Sequence, residues 1–494
     1  VKGMEIAIRS VRDVGKIAEA AICYTGDIHD PSRSKYNLKY YLDLAKELEQ
    51  QGAHILAIKD MAGLLKPDAA YELITELKSH IDIPIHLHTH DTSGNGIFTY
   101  AKAIEAGVDV VDTAISSMAG FTSQPSANSL VYALEGNKRK PTVSIQGLNE
   151  LGKYWEDIRK YYQSFESGMN APHPEVYEHE MPGGQYSNLQ QQAKAVGLID
   201  RWEEVKQMYR KVNFLFGDIV KVTPSSKVVG DMALFLVQNN LTEEDIFTKG
   251  KLIDFPDSVI EFFQGYIGIP YGGFPKELQE IILKDRKPLN VRAGELLEPV
   301  NFNQMKEELF AELKTRPTEY DVLGYALYPK VFLDYVKSHH RYGDVSCIDT
   351  PTFFYGMRIG EELEIEIEKG KTLFVKLVSV GQVQQDGTRI AYFELNGQPR
   401  EVAIRDESVK GEIVERRKAD PKNENHIGAT MPGTIVKVLV EQGKKVKKGE
   451  HLLITEAMKM ETTVQAPFSG TVEEVCVQDR DSIKQGDLLI VLRK

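Results

Sequence analysis

Two stretches near the C-terminus are copies of each other. GTIVKVLVEQGKKVKKGEHLLI (433–454) aligns with GTVEEVCVQDRDSIKQGDLLIV (470–491) at an offset of 37 residues. Gly433 then pairs with Gly470, Val438 with Val475, Val446 with Ile483 and Gly449 with Gly486. A duplicated short β unit predicts a small pseudo-twofold sandwich, in which two sheets close on each other. The connection TEAMKMETTVQAPFSG (455–470) then places Lys459 at an exposed hairpin tip. A lone surface lysine ordinarily means nothing. This one is flanked by Met458 and Met460, where a turn would be expected to carry polar residues.

The first third follows a different rule. Short apolar runs, AEAAICYT (core 19–25), HILAIKD (54–60), PIHLHTHD (84–91) and DVVDTAI (109–115), alternate with amphipathic stretches at 37–52, 68–81 and 96–107. Runs this short and this apolar suit parallel strands buried on both faces, and each βα unit has the length of a crossover. A fifth strand is predicted at EVYEHEMP (175–182), before Gly183-Gly184. The pattern predicts an α/β fold, a (β/α)8 TIM barrel whose first three strands would precede Val1, with an open doubly wound sheet as the alternative. Residues 186–345 read as mainly helical, for example 200–217 and 276–285. From 353 to 405 the sequence alternates. Leu363, Ile365 and Ile367 fall on one face and Glu362, Glu364 and Glu366 on a solvated one, with turns at Lys369-Gly370, Asp386-Gly387 and Asn396-Gly397. RRKADPKNENH (416–426) reads as a linker reaching roughly 40 Å at full extension.

Composition narrows the function. The chain has 494 residues and a formal net charge of −12, which argues against nucleic-acid binding as its main business. No apolar run is long enough to span a bilayer, and VKGMEIAIRS contains no apolar signal region. Position 1 is not Met and reads as an internal cut in a longer chain. Cys23, Cys347 and Cys476 are far apart, which suits a reducing cytoplasmic setting rather than a disulfide scaffold.

His86, His88 and His90 alternate along one strand and share a face. Active sites of barrels lie at the strand C-termini, so His88 and His90 suit adjacent metal ligands, while the deeper His86 reads as a hydrogen-bonded core histidine. Lys59 ends the preceding strand. It reads either as an ion-pair partner of Asp60 or, if carbamylated, as an anionic oxygen ligand beside the two imidazoles. Thr223-Pro224-Ser225-Ser226 reads as a helix cap.

Two resemblances sharpen these readings. Ala457-Met458-Lys459-Met460, with Pro432-Gly433 upstream and Ala466-Pro467 downstream, resembles the biotinyl carrier domain over about 427–494. The stretches ILAIKDMAGLLKP (55–67), HLHTHDTSGNG (86–96), SMAGFTSQPS (117–126), MPGGQYSNL (181–189) and KVTPSSKVVGD (221–231) resemble the carboxyltransferase domain of the pyruvate carboxylases. Residues 353–405 resemble part of that family's tetramerisation module. The domains implied are a carboxyltransferase barrel with helical extension (1–300), a helical connection (301–352), a β-rich tetramerisation module (353–415), the linker (416–426) and an all-β biotinyl sandwich (427–494).

The resemblance implies covalent biotin on Lys459, and Mn²⁺ or Zn²⁺ held by carbamylated Lys59, His88 and His90. It implies Thr223 as a proton relay that touches substrate, with Lys227 in the same pocket. The reaction implied is carboxyl transfer from carboxybiotin to pyruvate, giving oxaloacetate within an ATP- and bicarbonate-dependent enzyme of anaplerosis and gluconeogenesis. Implied partners are a biotin protein ligase, acetyl-CoA as effector and three further copies in a homotetramer. The family's aspartate ligand, in an Arg-Asp-Ala-His-Gln-like motif, its substrate arginine and its ATP-grasp domain have no match here, so a chain confined to these residues is expected to be impaired in metal binding and catalysis. The alternatives are the α subunit of a biotin-dependent oxaloacetate decarboxylase, a non-catalytic biotin carrier and a lipoyl carrier.

Overall fold

The computed structural model describes residues 2–166, 168–383, 388–406, 417–420, 423–457 and 460–494. The chain divides into two compact units, Val1–Glu295 with Arg416–Lys494, and Leu296–Glu415.

The first unit opens with four parallel strands, β1 (Glu19–Cys23), β2 (Ile55–Asp60), β3 (Ile85–Thr89) and β4 (Val110–Val111), in the order β1-β2-β3-β4. The helices Leu38–Gln50, Pro67–His80 and Gly96–Glu105 cross over between them. One face of the sheet is fully buried, with Ile22, Leu56, Ile58, Ile85 and Leu87 packed under Tyr41, Leu73 and Ala103 of those helices. The opposite face is half open and carries Cys23, Lys59, His86 and His88. This period-2 split puts His86 and His88 on one side of the HxH strand and the buried Thr89 on the other.

The predicted fifth strand is a helical turn, Val176–His179. Val176 and His179 are buried at i and i+3, and the turn ends at Glu180, whose φ of 54° stops any continuation. An alternating letter pattern over so few residues is compatible with one helical turn, and the helix Gly183–Ala195 follows at once. A second core then forms around the helices Trp202–Leu215, Ser225–Gln238 and Asp257–Gln264.

The C-terminal repeat folds as its symmetry requires. One sheet runs β13-β12-β10-β15 and the other β11-β14-β16-β9. The strands are β9 (His426–Gly428), β10 (Gly433–Val438), β11 (Lys445–Val446), β12 (His451–Ala457), β13 (Met460–Gln465), β14 (Gly470–Val475), β15 (Ser482–Ile483) and β16 (Leu488–Arg493). Exchanging β10 with β14, β11 with β15 and β12 with β16 maps one sheet onto the other. The core pairs follow the alignment: Ile435 with Val472, Val446 with Ile483, Leu453 with Ile490, all buried. The described part of the 416–426 linker belongs to this sandwich. Lys418 bridges to Asp487 in backbone pairing and by its amine at 2.6 Å, and Arg417 pairs with Glu474 at 2.9 Å. These opposite charges, on β14 and just before β16, dock a stretch that polar composition alone marks as free.

The second unit holds the helices Phe302–Leu313, Glu319–Leu327, Pro329–Tyr342 and Thr350–Tyr355. A meander follows, β5 (Glu362–Glu368), β6 (Lys371–Val380), β7 (Thr388–Leu395) and β8 (Gln398–Arg405). Two of its three expected turns fall among the described residues, at Lys369-Gly370 and Asn396-Gly397. Asn396 and Gly397 take φ of 49° and 75°, the two positive values a two-residue hairpin demands. Asp386-Gly387 lies outside the described residues.

Candidate active site and carrier

Parallel register brings the β2 and β3 candidates together. Lys59 is the Cα partner of Cys23 on one side and of His88 on the other. The ion pair of Lys59 with Asp60 does not form, because adjacent strand residues point to opposite faces. Asp60 is buried on the helix side, where it accepts hydrogen bonds from Leu64 N (2.8 Å), Leu65 N (2.9 Å) and Thr89 Oγ1 (2.7 Å). Among the described residues the Lys59 amine has no hydrogen-bond or ion-pair partner.

The imidazoles are oriented from behind. His88 Nδ1 bonds Asp112 Oδ2 at 2.8 Å, and His90 Nδ1 donates to the Thr122 carbonyl at 2.6 Å. Each ring therefore keeps Nε2 available, the arrangement in which a carboxylate or carbonyl orients a metal-binding histidine. The rings lie 5.2 Å apart, centroid to centroid. Burial, with repulsion from His88 and Lys59 and against the Thr122 bond, pushes His90 down to about 4, so it is a neutral nitrogen donor at neutral pH. His86 is hydrogen-bonded, but to Glu19 (3.0 Å) on the half-open face rather than inside the core, and its Nε2 lies 2.9 Å from Asp112 Oδ1. Burial opposes its charge, yet those two carboxylates hold it above the usual range. Among the described residues no group of three or more His, Cys, Asp and Glu side chains is gathered for a metal. The donors present are two free imidazole nitrogens and one amine.

Thr223 and Lys227 form a second group. Pro224, not Thr223, is the N-cap of Ser225–Gln238, and it is Ser225 Oγ that bonds the neighbouring carbonyls of Val220 and Val222. Thr223 is thus exposed, and its hydroxyl has no partner among the described residues. With Lys227 it lines a cleft of about 690 Å³, together with Gln185, Asn188, Gln191 and Gln192 of helix Gly183–Ala195 and with Thr434 and Glu456 of the C-terminal sandwich. Lys227 donates to Asp231 Oδ2 at 2.6 Å, and Ser258 Oγ donates to the same oxygen at 2.7 Å.

Helix Gly183–Ala195 touches both groups. Its first residue packs so closely that a Cβ on Gly183 would lie 2.6 Å from His90 Nδ1 and 3.0 Å from the Thr122 carbonyl. Three residues in this arrangement had no role in the sequence reading. Asp112 ends an apolar strand run, a recognisable place for a functional acid. Asp231 interrupts the apolar run of its helix. The Thr122 carbonyl leaves no mark in sequence. Lys459 and Met458 lie outside the described residues, and the described hairpin ends at the pair Ala457↔Met460.

Comparison with known proteins agrees in all three regions. Residues 3–154 match the family described as HMGL-like, 176–376 a conserved carboxylase domain, and 425–492 the biotin-requiring enzymes. The chain is 67% identical to the pyruvate carboxylase of Bacillus subtilis over 94% of its length and 41% of that protein's. It spans about two fifths of such curated relatives. It is 46% identical to the carboxyl transferase domain of Rhizobium etli pyruvate carboxylase, solved with pyruvate and biocytin, with a TM-score of 0.78 over 82% of this chain and 68% of that one. Against the complete multifunctional enzyme from that organism the TM-score is 0.77, at 45% identity, over 99% of this chain and 45% of that one. No helix among the described residues is long and apolar enough to cross a membrane.

Proposed function

Because this chain belongs to the pyruvate carboxylase family, we propose that it transfers a carboxyl group between biotin, carried on Lys459, and pyruvate, forming oxaloacetate. The observation that carries this reading is the unbonded, exposed Thr223 hydroxyl beside Lys227, in a cleft whose other wall is the carrier sandwich. Pyruvate must lose a methyl proton as its new carbon–carbon bond forms, and the carrier's ring nitrogen must gain one. The Thr223 hydroxyl takes the first and gives its own to the second, with no net charge on either side of the exchange. A hydroxyl with no competing partner is free to do both. Lys227, fixed by Asp231, sets a cation in the same cleft and favours anionic substrate groups there.

His88 and His90 would hold a divalent ion, Mn²⁺ or Zn²⁺, through Nε2, with Lys59 joining them as its carbamate. When bound, the ion would stabilise negative charge on the substrate's keto oxygen. Asp112 and the Thr122 carbonyl support this by leaving both Nε2 atoms unused. The wider reading, still a proposal, is a homotetrameric, ATP- and bicarbonate-dependent enzyme of the cytoplasm, loaded by a biotin protein ligase and responsive to acetyl-CoA.

The test is Thr223→Ala in the biotinylated holoenzyme. Oxaloacetate formation should fall at least 100-fold while streptavidin-detected biotin stays constant, and Thr223→Ser should restore most of the rate. An alanine variant keeping a tenth of the wild-type rate removes Thr223 from the chemistry.

A further inference from the structure

The carrier sandwich rests on the helical extension through two polar points far apart in sequence. Thr463 Oγ1 on β13 donates to Asp257 Oδ2 at 2.9 Å. Gln238 Nε2 donates to Gln485 Oε1 at 2.7 Å, and Gln485 Nε2 returns a bond to the Gln238 carbonyl at 3.3 Å. Thr434 and Glu456 of the sandwich line the same cleft as Thr223 and Lys227. Met431, just before β10, is buried against the helical core. We propose that the first turn of helix Asp257–Gln264 and the end of helix Ser225–Gln238 are a seat that recognises the carrier sandwich and aims its attachment hairpin at the Thr223 cleft. The proposal rests on the carboxyl-transfer reading.

The chemistry of the seat suits an occupant that must leave again. Each polar contact contributes about 1 kcal/mol net, somewhat more where Asp257 brings charge. One like-charge approach opposes them. The Glu261 carboxyl is pushed up chiefly by burial, then by Asp257 and by Glu461 of β13. The seat also reads orientation. Thr463 is paired with Ile454 in the β12–β13 hairpin that bears Lys459, whereas Gln485 lies in the second repeat copy, so the pair of contacts fixes the sandwich in one rotation.

Two measurements test this. In unbiotinylated protein, the double variant Asp257→Cys/Thr463→Cys should form a disulfide on mild oxidation that neither single variant forms. A monomeric or a cross-chain product supports the seat alike, since the occupant is the carrier sandwich in both. In the biotinylated holoenzyme, oxaloacetate gives its carboxyl to a biotin ring nitrogen, that nitrogen's proton passes to the methylene carbon, and pyruvate leaves; the carboxybiotin then releases CO₂ and its nitrogen regains a proton from water, which restores the carrier. Thr463→Val and Gln485→Ala should each slow this turnover about five- to tenfold through tethered biotin. Both should leave turnover with saturating free biotin within twofold. Absence of the cross-link, an unchanged tethered rate, or equal loss in both assays overturns the seat. A wild-type enzyme inactive with both tethered and free biotin overturns the carboxyl-transfer reading itself.

Discussion

Asp231 places a fully buried carboxyl beside the cleft. It sits fully buried among Val228, Val229, Met232 and Leu234, and its Oδ1 has no hydrogen-bond partner among the described residues. A buried carboxylate is tolerated only when something compensates it. Here that is Lys227 one turn earlier, with Ser258 on the same oxygen. Burial still dominates and pushes the Asp231 carboxyl above its usual range. A raised folded value means that the folded state binds more protons than the unfolded chain in the window above about 4. This group's contribution is therefore largest in acid and declines as pH rises through its folded value. Asp231→Asn removes that decline. The variant's urea midpoint, measured relative to wild type, should improve between pH 4 and pH 7; a difference independent of pH would show that the site does not carry this cost.

Helix Gly183–Ala195 makes its argument as an element. Its side chains line the cleft, and its first residue abuts the ring of His90. Replacing glycine by alanine in a helix ordinarily helps, by up to about 1 kcal/mol. Gly183→Ala should instead lower oxaloacetate formation at least tenfold, because the added methyl meets a ring nitrogen and a backbone carbonyl. Gly184→Ala, with nothing within 4 Å, should leave the rate unchanged, and steady-state kinetics on the two variants decides it. The same helix marks what sequence can disclose. Strands β1 to β3, their crossovers and the duplicated sandwich are written in hydrophobic period and repeat, so they are legible residue by residue. The helical turn at Val176–His179 is not, since a few alternating letters do not distinguish the two periods. HxH and Lys59 are legible as one rim because β-strand geometry fixes which residues share a face. The bonds that orient them are harder to see. The Thr122 carbonyl is backbone, and Asp112 lies 24 residues beyond His88, just past the end of β4. The proposed role of Thr223 comes only through resemblance. Its local letters spell a cap, which Pro224 and Ser225 take over.

The two cores of the first unit are joined by buried charge rather than by apolar contact alone. Arg33, in the loop after β1, donates to Glu180 and, at 3.0 Å, to Asp218 Oδ1. Lys221 Nζ reaches Glu180 Oε2 at 3.0 Å. These groups come from three separate stretches of chain and are nearly closed to solvent, with Lys221 only 1% exposed at its side chain. Burial acts against the Glu180 charge, but Lys221 and Arg33 overcome it and hold the carboxyl below the usual range. Its depressed value means stability that is present above about 4.5 and lost as pH falls through the folded value, opposite in sign to Asp231. Removing one partner of such a cluster leaves two buried cations short of compensation, at a cost of about 3–5 kcal/mol. Glu180→Gln should therefore lower the urea midpoint followed by the fluorescence of Trp202, which lies in the helical core, and should weaken the acid dependence of that midpoint. Lys39→Met, which breaks the exposed pair with Asp43, should cost less than about 0.5 kcal/mol. If the two variants lose equal stability, the buried cluster is not what ties the barrel strands to the helical extension.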